Sequence, residues 1–156
     1  MSTVLILGIG NTLQADDGVG VHVVAALEKM DLPGDVAFRD GGTIGLSLLA
    51  EIEDCDSLVV VDAMKLDAKP GTIALYEGDE IQAQLGGKKR TAHEVAVSDL
   101  LAAAALMGCT PRHMALVGIQ PGRVGWGLEA EGAVAEAIPR ACAMVRDLLE
   151  KWHVPA

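Results

Sequence analysis

Four stretches of this chain set a carboxylate or an imidazole beside the end of an apolar run. Asp16 and Asp17 follow Leu5-Ile6-Leu7-Gly8-Ile9-Gly10, Asp40 follows Val36-Ala37-Phe38, Asp62 follows Leu58-Val59-Val60-Val61, and His93 opens a helical stretch. Carboxylate oxygens with one imidazole nitrogen form a hard-to-borderline donor set that suits a divalent metal ion. The sign of the charge matters. A strand, a glycine turn and a helix start ordinarily cradle phosphate, because free backbone N–H groups point at the anion. Here Asp16 and Asp17 already stand at that place. They repel phosphate and attract a cation.

Each of these residues also has a reading without chemistry. Asp16 suits a helix N-cap. Asp17 in a first turn favours the helix dipole. Asp40 can bond the backbone of its own turn. His93 can serve as a polar cap. Asp62 is harder to explain in that way, because it ends a run of buried valines, where an unpaired charge would be costly.

The elements that must position these residues follow from periodicity. Val4 to Leu7 is a short continuous apolar run, expected as a central strand. A helix is expected from about Asp17 to Met30, with Asp16 as N-cap and with Val19, Val23, Val24, Leu27 and Met30 at helical spacing. His22 in that helix is expected to face solvent. A second strand spans Val36 to Phe38, and a second helix Ile44 to about Ile52. Ser57 to Val61 is the third strand. Pro70-Gly71 turns the chain into an alternating strand from Thr72 to Tyr76, expected antiparallel at a sheet edge. Glu77 to Arg90 has no clear period and reads as a mobile loop. A helix from Thr91 to about Met107, a strand from Met114 to Ile119 and a helix from about Gly132 to Trp152 complete the chain. Strands alternating with helices imply an α/β fold: a three-layer α/β/α sandwich with a mostly parallel twisted sheet of about five strands. In such sheets ligands bind beyond the carboxyl ends of the strands, which is where the acids fall.

Composition narrows the class. The length of 156 residues suits a single domain, 1–156. Hydrophobic residues make up 51% and aromatics 3%, so the core must be aliphatic, as in a covered parallel sheet. A net charge of -10 disfavours nucleic acid and anionic membranes. Cys55, Cys109 and Cys142 have neither metal nor redox spacing and read as reduced core thiols. The apolar run after Met1 ends at Gly8, unlike a signal peptide, and no run suits a membrane span. A cytoplasmic protein is expected. Neither a G-x-S-x-G elbow nor a cysteine in a basic setting suggests a covalent nucleophile. A nucleotide site is the rival, from Gly8-Ile9-Gly10 and Asp40. It lacks a small residue at Leu13, and the acids at 16 and 17 oppose it.

Taken in register, Gly8-Ile9-Gly10-Asn11, Asp16-Asp17-Gly18-Val19-Gly20, Asp40-Gly41-Gly42-Thr43, Val60-Val61-Asp62-Ala63, His93 and Val117-Gly118-Ile119-Gln120-Pro121 resemble the hydrogenase maturation endopeptidases. The resemblance runs over nearly the whole chain. It implies a cytosolic endopeptidase, acting as a monomer. Its partner would be the large-subunit precursor of a nickel-iron hydrogenase, from which it cuts a C-terminal extension once nickel is in place. It implies Asp17, Asp62 and His93 as metal ligands. The metal would be nickel, that of the precursor, and other divalent ions would suit the same donors. Asp40 is a candidate general base, with metal-bound water as the alternative. Gly41, Gly42 and Thr43 are candidates for receiving the substrate tail. A nickel-sensing chaperone holding the same precursor is the non-catalytic alternative.

Overall fold

The computed structural model describes residues 3–9, 18–40, 47–85, 92–122 and 132–152, with the backbone alone at 47 and 92–96. In chain order the elements are β1 (Thr3–Gly8), α1 (Val19–Leu27), β2 (Asp35–Asp40), α2 (Ser47–Glu53), β3 (Ser57–Ala63), β4 (Ile73–Glu77), α3 (Asp79–Leu85), α4 (Ala92–Leu106), β5 (His113–Ile119) and α5 (Gly132–Lys151). The strands form one sheet in the order β2-β1-β3-β5-β4. All neighbours are parallel except β4, which runs antiparallel to β5 at the edge, as its early return after β3 suggested.

Alternation along β3 explains the layers. Val59, Val61 and Ala63 enter one apolar cluster with Val19, Val23 and Leu27 of α1 and Val134, Ala137 and Val145 of α5. Leu58 and Val60 enter the other with Ile52 of α2, Ile81 and Leu85 of α3, and Leu100 and Ala104 of α4. Both faces are therefore covered. Small aliphatic side chains fill both clusters, which is what the scarcity of aromatics required.

Three expectations need correction. The stretch expected as a loop from Glu77 contains α3. Ile81 and Leu85, four residues apart, are buried on one side, while Asp79 and Glu80 lie in the first turn, where the helix dipole favours acids. Glu80 Oε1 accepts a bond from the Glu77 N–H at 3.2 Å, in the manner of a capping box. Second, α1 begins later than expected. Its N-cap is Gly18, with no side-chain cap bond. Third, His22 is partly buried, and its Nε2 is enclosed without a hydrogen-bond partner among the described residues. Asp16, Asp17 and residues 41–46 and 86–90 lie outside the described residues.

Glycines set the junction between β1, β3 and α1. A Cβ on Gly20 would meet the carbonyl oxygens of Val61 and Ile9, the latter at 2.6 Å. A Cβ on Gly8 would meet the Gly20 carbonyl oxygen at 2.6 Å and Val24 Cγ2 at 2.7 Å. The first turn of α1 thus lies directly on the strand ends. Ala at position 20 would gain about 1 kcal/mol of helix propensity. It would also push two backbone carbonyls apart, at a cost of 1–3 kcal/mol or more for overpacking. Gly20→Ala is therefore expected to lower unfolding free energy by about 2 kcal/mol in urea titrations. An unchanged midpoint would show that the junction is looser than described.

Candidate metal and peptide site

The carboxyl ends of four strands form a rim. Gly8 of β1 is in register with Asp40 of β2 on one side and with Val61 of β3 on the other, and Asp62 is in register with Gly118 of β5. Asp62 is only 1% exposed. A carboxylate so enclosed is retained where its surroundings compensate the charge, because burial disfavours an isolated ion. By alternation its side chain shares the face of Leu58 and Val60. That face is the one α4 covers, through Val97, Leu100 and Leu101.

His93 is the second residue of α4. The chain passes from the end of α4 to the start of β5 within residues 107–112, so the C-terminus of α4 lies at the amino edge of the sheet. Fifteen helical residues rise about 22 Å, and a seven-residue strand spans about 23 Å. The first turn of α4 therefore reaches the carboxyl edge, on the Asp62 side. Asp17 lies outside the described residues. Its neighbour Gly18 caps α1, and Gly20 touches the carbonyl of Val61, the residue before Asp62. Backbone placement thus brings α1's start, β3's end and α4's start to one rim. Among the described residues, no three of His, Cys, Asp and Glu cluster as metal ligands do; the Asp17 side chain and the His93 imidazole are not among them.

Asp40 is set apart. Two strand spacings, roughly 10 Å, separate β2 from β3. Alternation sends its side chain to the opposite face from that of Asp62, with Val36 and Phe38. It is exposed at the strand end. This suits a group working beside the ion better than one holding it. Gly41, Gly42 and Thr43 lie outside the described residues.

Among the described residues, local geometry weighs against the nucleotide rival. The Ile9 N–H, the first donor of the turn, is bonded to the Val61 carbonyl at 2.9 Å and does not face a ligand. The positions that Gly8 and Gly20 leave open are filled by protein atoms rather than by a phosphate.

Sequence reasoning gave no role to Gln120, although its motif was noticed. Its side-chain amide accepts from the Leu66 N–H at 2.6 Å and donates to the Pro121 carbonyl at 3.0 Å. A glutamine between a strand and a proline was the available signal.

Comparison with known proteins finds relatives that match over nearly the whole chain. The family described as HycI, hydrogenase maturation protease, matches residues 21–148. The hydrogenase expression/formation protein HupD of Rhodobacter capsulatus is 40% identical over 153 residues, covering 97% of this chain and 73% of that protein. The hydrogenase 2 maturation protease of Escherichia coli strain K12 is 34% identical over 151 residues, covering 92% of this chain and 91% of that protein. The solved structure of the hydrogenase maturating endopeptidase HybD from Escherichia coli aligns with a TM-score of 0.90 at 32% identity, over 99% of this chain and 96% of the other.

The thiols stand away from this rim. Cys55 precedes β3 at the amino edge of the sheet, the length of a strand from Asp62. Burial, and then the neighbouring Asp56 charge, push its thiol up from 9.0 to about 11. Burial likewise raises Cys142. Neither supplies a thiolate near neutral pH. The raised value has a stability consequence. Below pH 9 the Cys55 thiol is protonated in both the folded and unfolded chains, and its contribution is fully present. As pH rises through about 11 the unfolded chain has lost its proton first, so that contribution is lost. Urea midpoints of the wild type are expected to fall from pH 9 to pH 11. Cys55→Ala should show a shallower fall, and parallel curves would contradict the assignment.

Proposed function

Because the chain belongs to the hydrogenase maturation protease family, we propose that it removes the C-terminal extension from the nickel-loaded large-subunit precursor of a nickel-iron hydrogenase. It is an endopeptidase by family. The observation that supports this reading best is Asp62, a carboxylate 1% exposed that follows the apolar run Leu58-Val59-Val60-Val61 in β3, beside the starts of α1 and α4.

In this reading Asp17, Asp62 and His93 hold the precursor's nickel. Two carboxylates and an imidazole offer the oxygen and nitrogen donors that such an ion takes, and other divalent ions would fit the same set. The ion is substrate, brought by the precursor. Its capture fixes the peptide across the strand ends. Gly41 and Gly42 would let the backbone of the tail approach closely, with Thr43 beside it.

Asp40 then acts as general base from the far side of the β1 end. It takes a proton from water as the water oxygen adds to the scissile carbonyl. The tetrahedral intermediate collapses, the C–N bond breaks, and the proton passes from Asp40 to the leaving amine. Backbone N–H groups near the tail would stabilise the oxyanion. The chain acts as one domain, residues 1–156, as a monomer in the cytoplasm, where free thiols persist.

Mass measurement of the precursor, before and after incubation with the protein, tests the reading. Wild type should shorten the nickel-loaded precursor and leave the nickel-free one intact. Outer-shell partners of a metal site typically cost 10–100-fold when removed, so Asp17→Asn, Asp62→Asn and His93→Ala should each lose at least about 100-fold. Asp40→Asn should slow cleavage by about 100-fold or more while nickel binding survives. Full processing by all three ligand variants would end the metal assignment. Binding without shortening by wild type would make the protein a chaperone for the precursor.

A further inference from the structure

Beyond Asp62 the chain does not run free. Residues 64–72 are stitched to the tip of β5, largely by one residue. The Gln120 N–H donates to the Thr72 carbonyl at 2.9 Å, and the Gln120 carbonyl accepts from the Gly71 N–H at 2.9 Å. Its side-chain Oε1 accepts from the Leu66 N–H at 2.6 Å, and its Nε2 donates to the Pro121 carbonyl at 3.0 Å. The Met64 N–H reaches the Ile119 carbonyl at 2.9 Å, and Arg140 Nη2 of α5 reaches the Gly71 carbonyl at 2.9 Å. Gly118 leaves room for the Met64 side chain, since a Cβ there would meet Met64 Cγ at 3.0 Å. Within this loop Asp67 takes a φ of 54°, a conformation that its short polar side chain tolerates.

The chemistry at Gln120 is specific. One end of the side chain must accept from an N–H, and the other must donate to a carbonyl. A neutral primary amide of this length does both. A carboxylate keeps the acceptor but faces the Pro121 carbonyl with a second acceptor. An apolar side chain of the same length does neither.

Sheet order gives the loop its place. Across the rim run Asp40 at the end of β2, then β1, then Asp62 in β3, then β5 and β4. The fixed loop lies on the β5 and β4 side of Asp62, opposite Asp40. A peptide laid across the strand ends would place its reacting bond near Asp40 and Asp62 and a further stretch against the loop.

We propose that Gln120 is a positioning residue, which locks residues 64–72 as a rigid ledge that receives the extended peptide of the substrate beside Asp62. The inference rests on the proteolytic reading above. Because the ledge holds peptide away from the reacting bond, its loss weakens capture and leaves the chemical step alone.

Q120M keeps both backbone bonds and removes both side-chain bonds. Two neutral hydrogen bonds of ordinary strength together correspond to a change of about five- to 150-fold. In folded Q120M the Leu66 amide should exchange at least about threefold faster, KM for the nickel-loaded precursor should rise about five- to 150-fold, and kcat should stay within about twofold. Q120E, with one of the two bonds retained, should raise KM less, and it decides the matter if Q120M does not fold. Faster Leu66 exchange with KM unchanged would make the contact merely structural, and a fall in kcat at constant KM would overturn the ledge. If wild type leaves the precursor uncut, the proteolytic reading falls by itself. The Kd of the loaded precursor for wild type and Q120M then decides the ledge: a rise supports it and equality overturns it. A precursor neither bound nor cut overturns both.

Discussion

The structure turns on a close approach between backbones at the first turn of α1. Gly20 sits against the carbonyls of Ile9 and Val61, and Gly8 against the carbonyl of Gly20. No side chain separates the helix start from the ends of β1 and β3. Gly18, the N-cap of α1, is thereby held next to the strand that carries Asp62. A side chain at either glycine would lift the helix by the thickness of a methyl group. Metal donors must agree within a few tenths of an ångström, so such a lift would part the donors of the proposed site.

Placing a carboxylate at 1% exposure in an aliphatic sheet carries a standing cost. The fold contains that cost at one position. On the same face, Leu58, Val60 and Leu116 remain apolar, and α4 closes over them with Val97, Leu100, Leu101 and Ala104. The opposite face is closed by α1 and α5 with small residues, so the sheet is fixed from both sides. Asp62 then meets its partners in a frame with little freedom to adjust. Preorganisation of this kind favours an ion that arrives with a defined geometry over one that must assemble its own site.

Much of this was legible in the sequence. The strands announced themselves through unbroken valine and leucine runs, and the antiparallel edge through the short return at Pro70-Gly71. The rim was legible because Asp40 and Asp62 follow the apolar runs Val36-Ala37-Phe38 and Leu58-Val59-Val60-Val61. What stayed hidden depended on tertiary contact. Helix α3 shows two buried positions, Ile81 and Leu85, too few to mark a period until α4 and the sheet lie beside them. The start of α1 was misjudged because Asp16 resembles a cap, whereas the Gly20 contact and not a side chain decides where the helix begins. His22 was misread because a histidine between valines carries no sign of which neighbours enclose it. Gln120 stood in a noticed motif, but its two side-chain partners, at positions 66 and 121, emerge only from the fold.

The same architecture can serve opposite charges. In doubly wound sheets a crevice opens where neighbouring strands send their connections apart, and nucleotides commonly occupy it. Here β1 and β3 are those neighbours, with β2 on one side and β5 on the other. What admits a phosphate elsewhere is a turn whose N–H groups are unengaged and whose helix dipole meets no rival charge. In this chain the Ile9 N–H is bonded to Val61, and the two acids precede the helix. Both changes are local, and neither alters a strand or a layer. The crevice therefore comes from topology, while its ligand is set by a few atoms at the strand ends. That separation is why fold likeness alone leaves the nucleotide reading open, and why the acids at positions 16, 17 and 62 weigh against it.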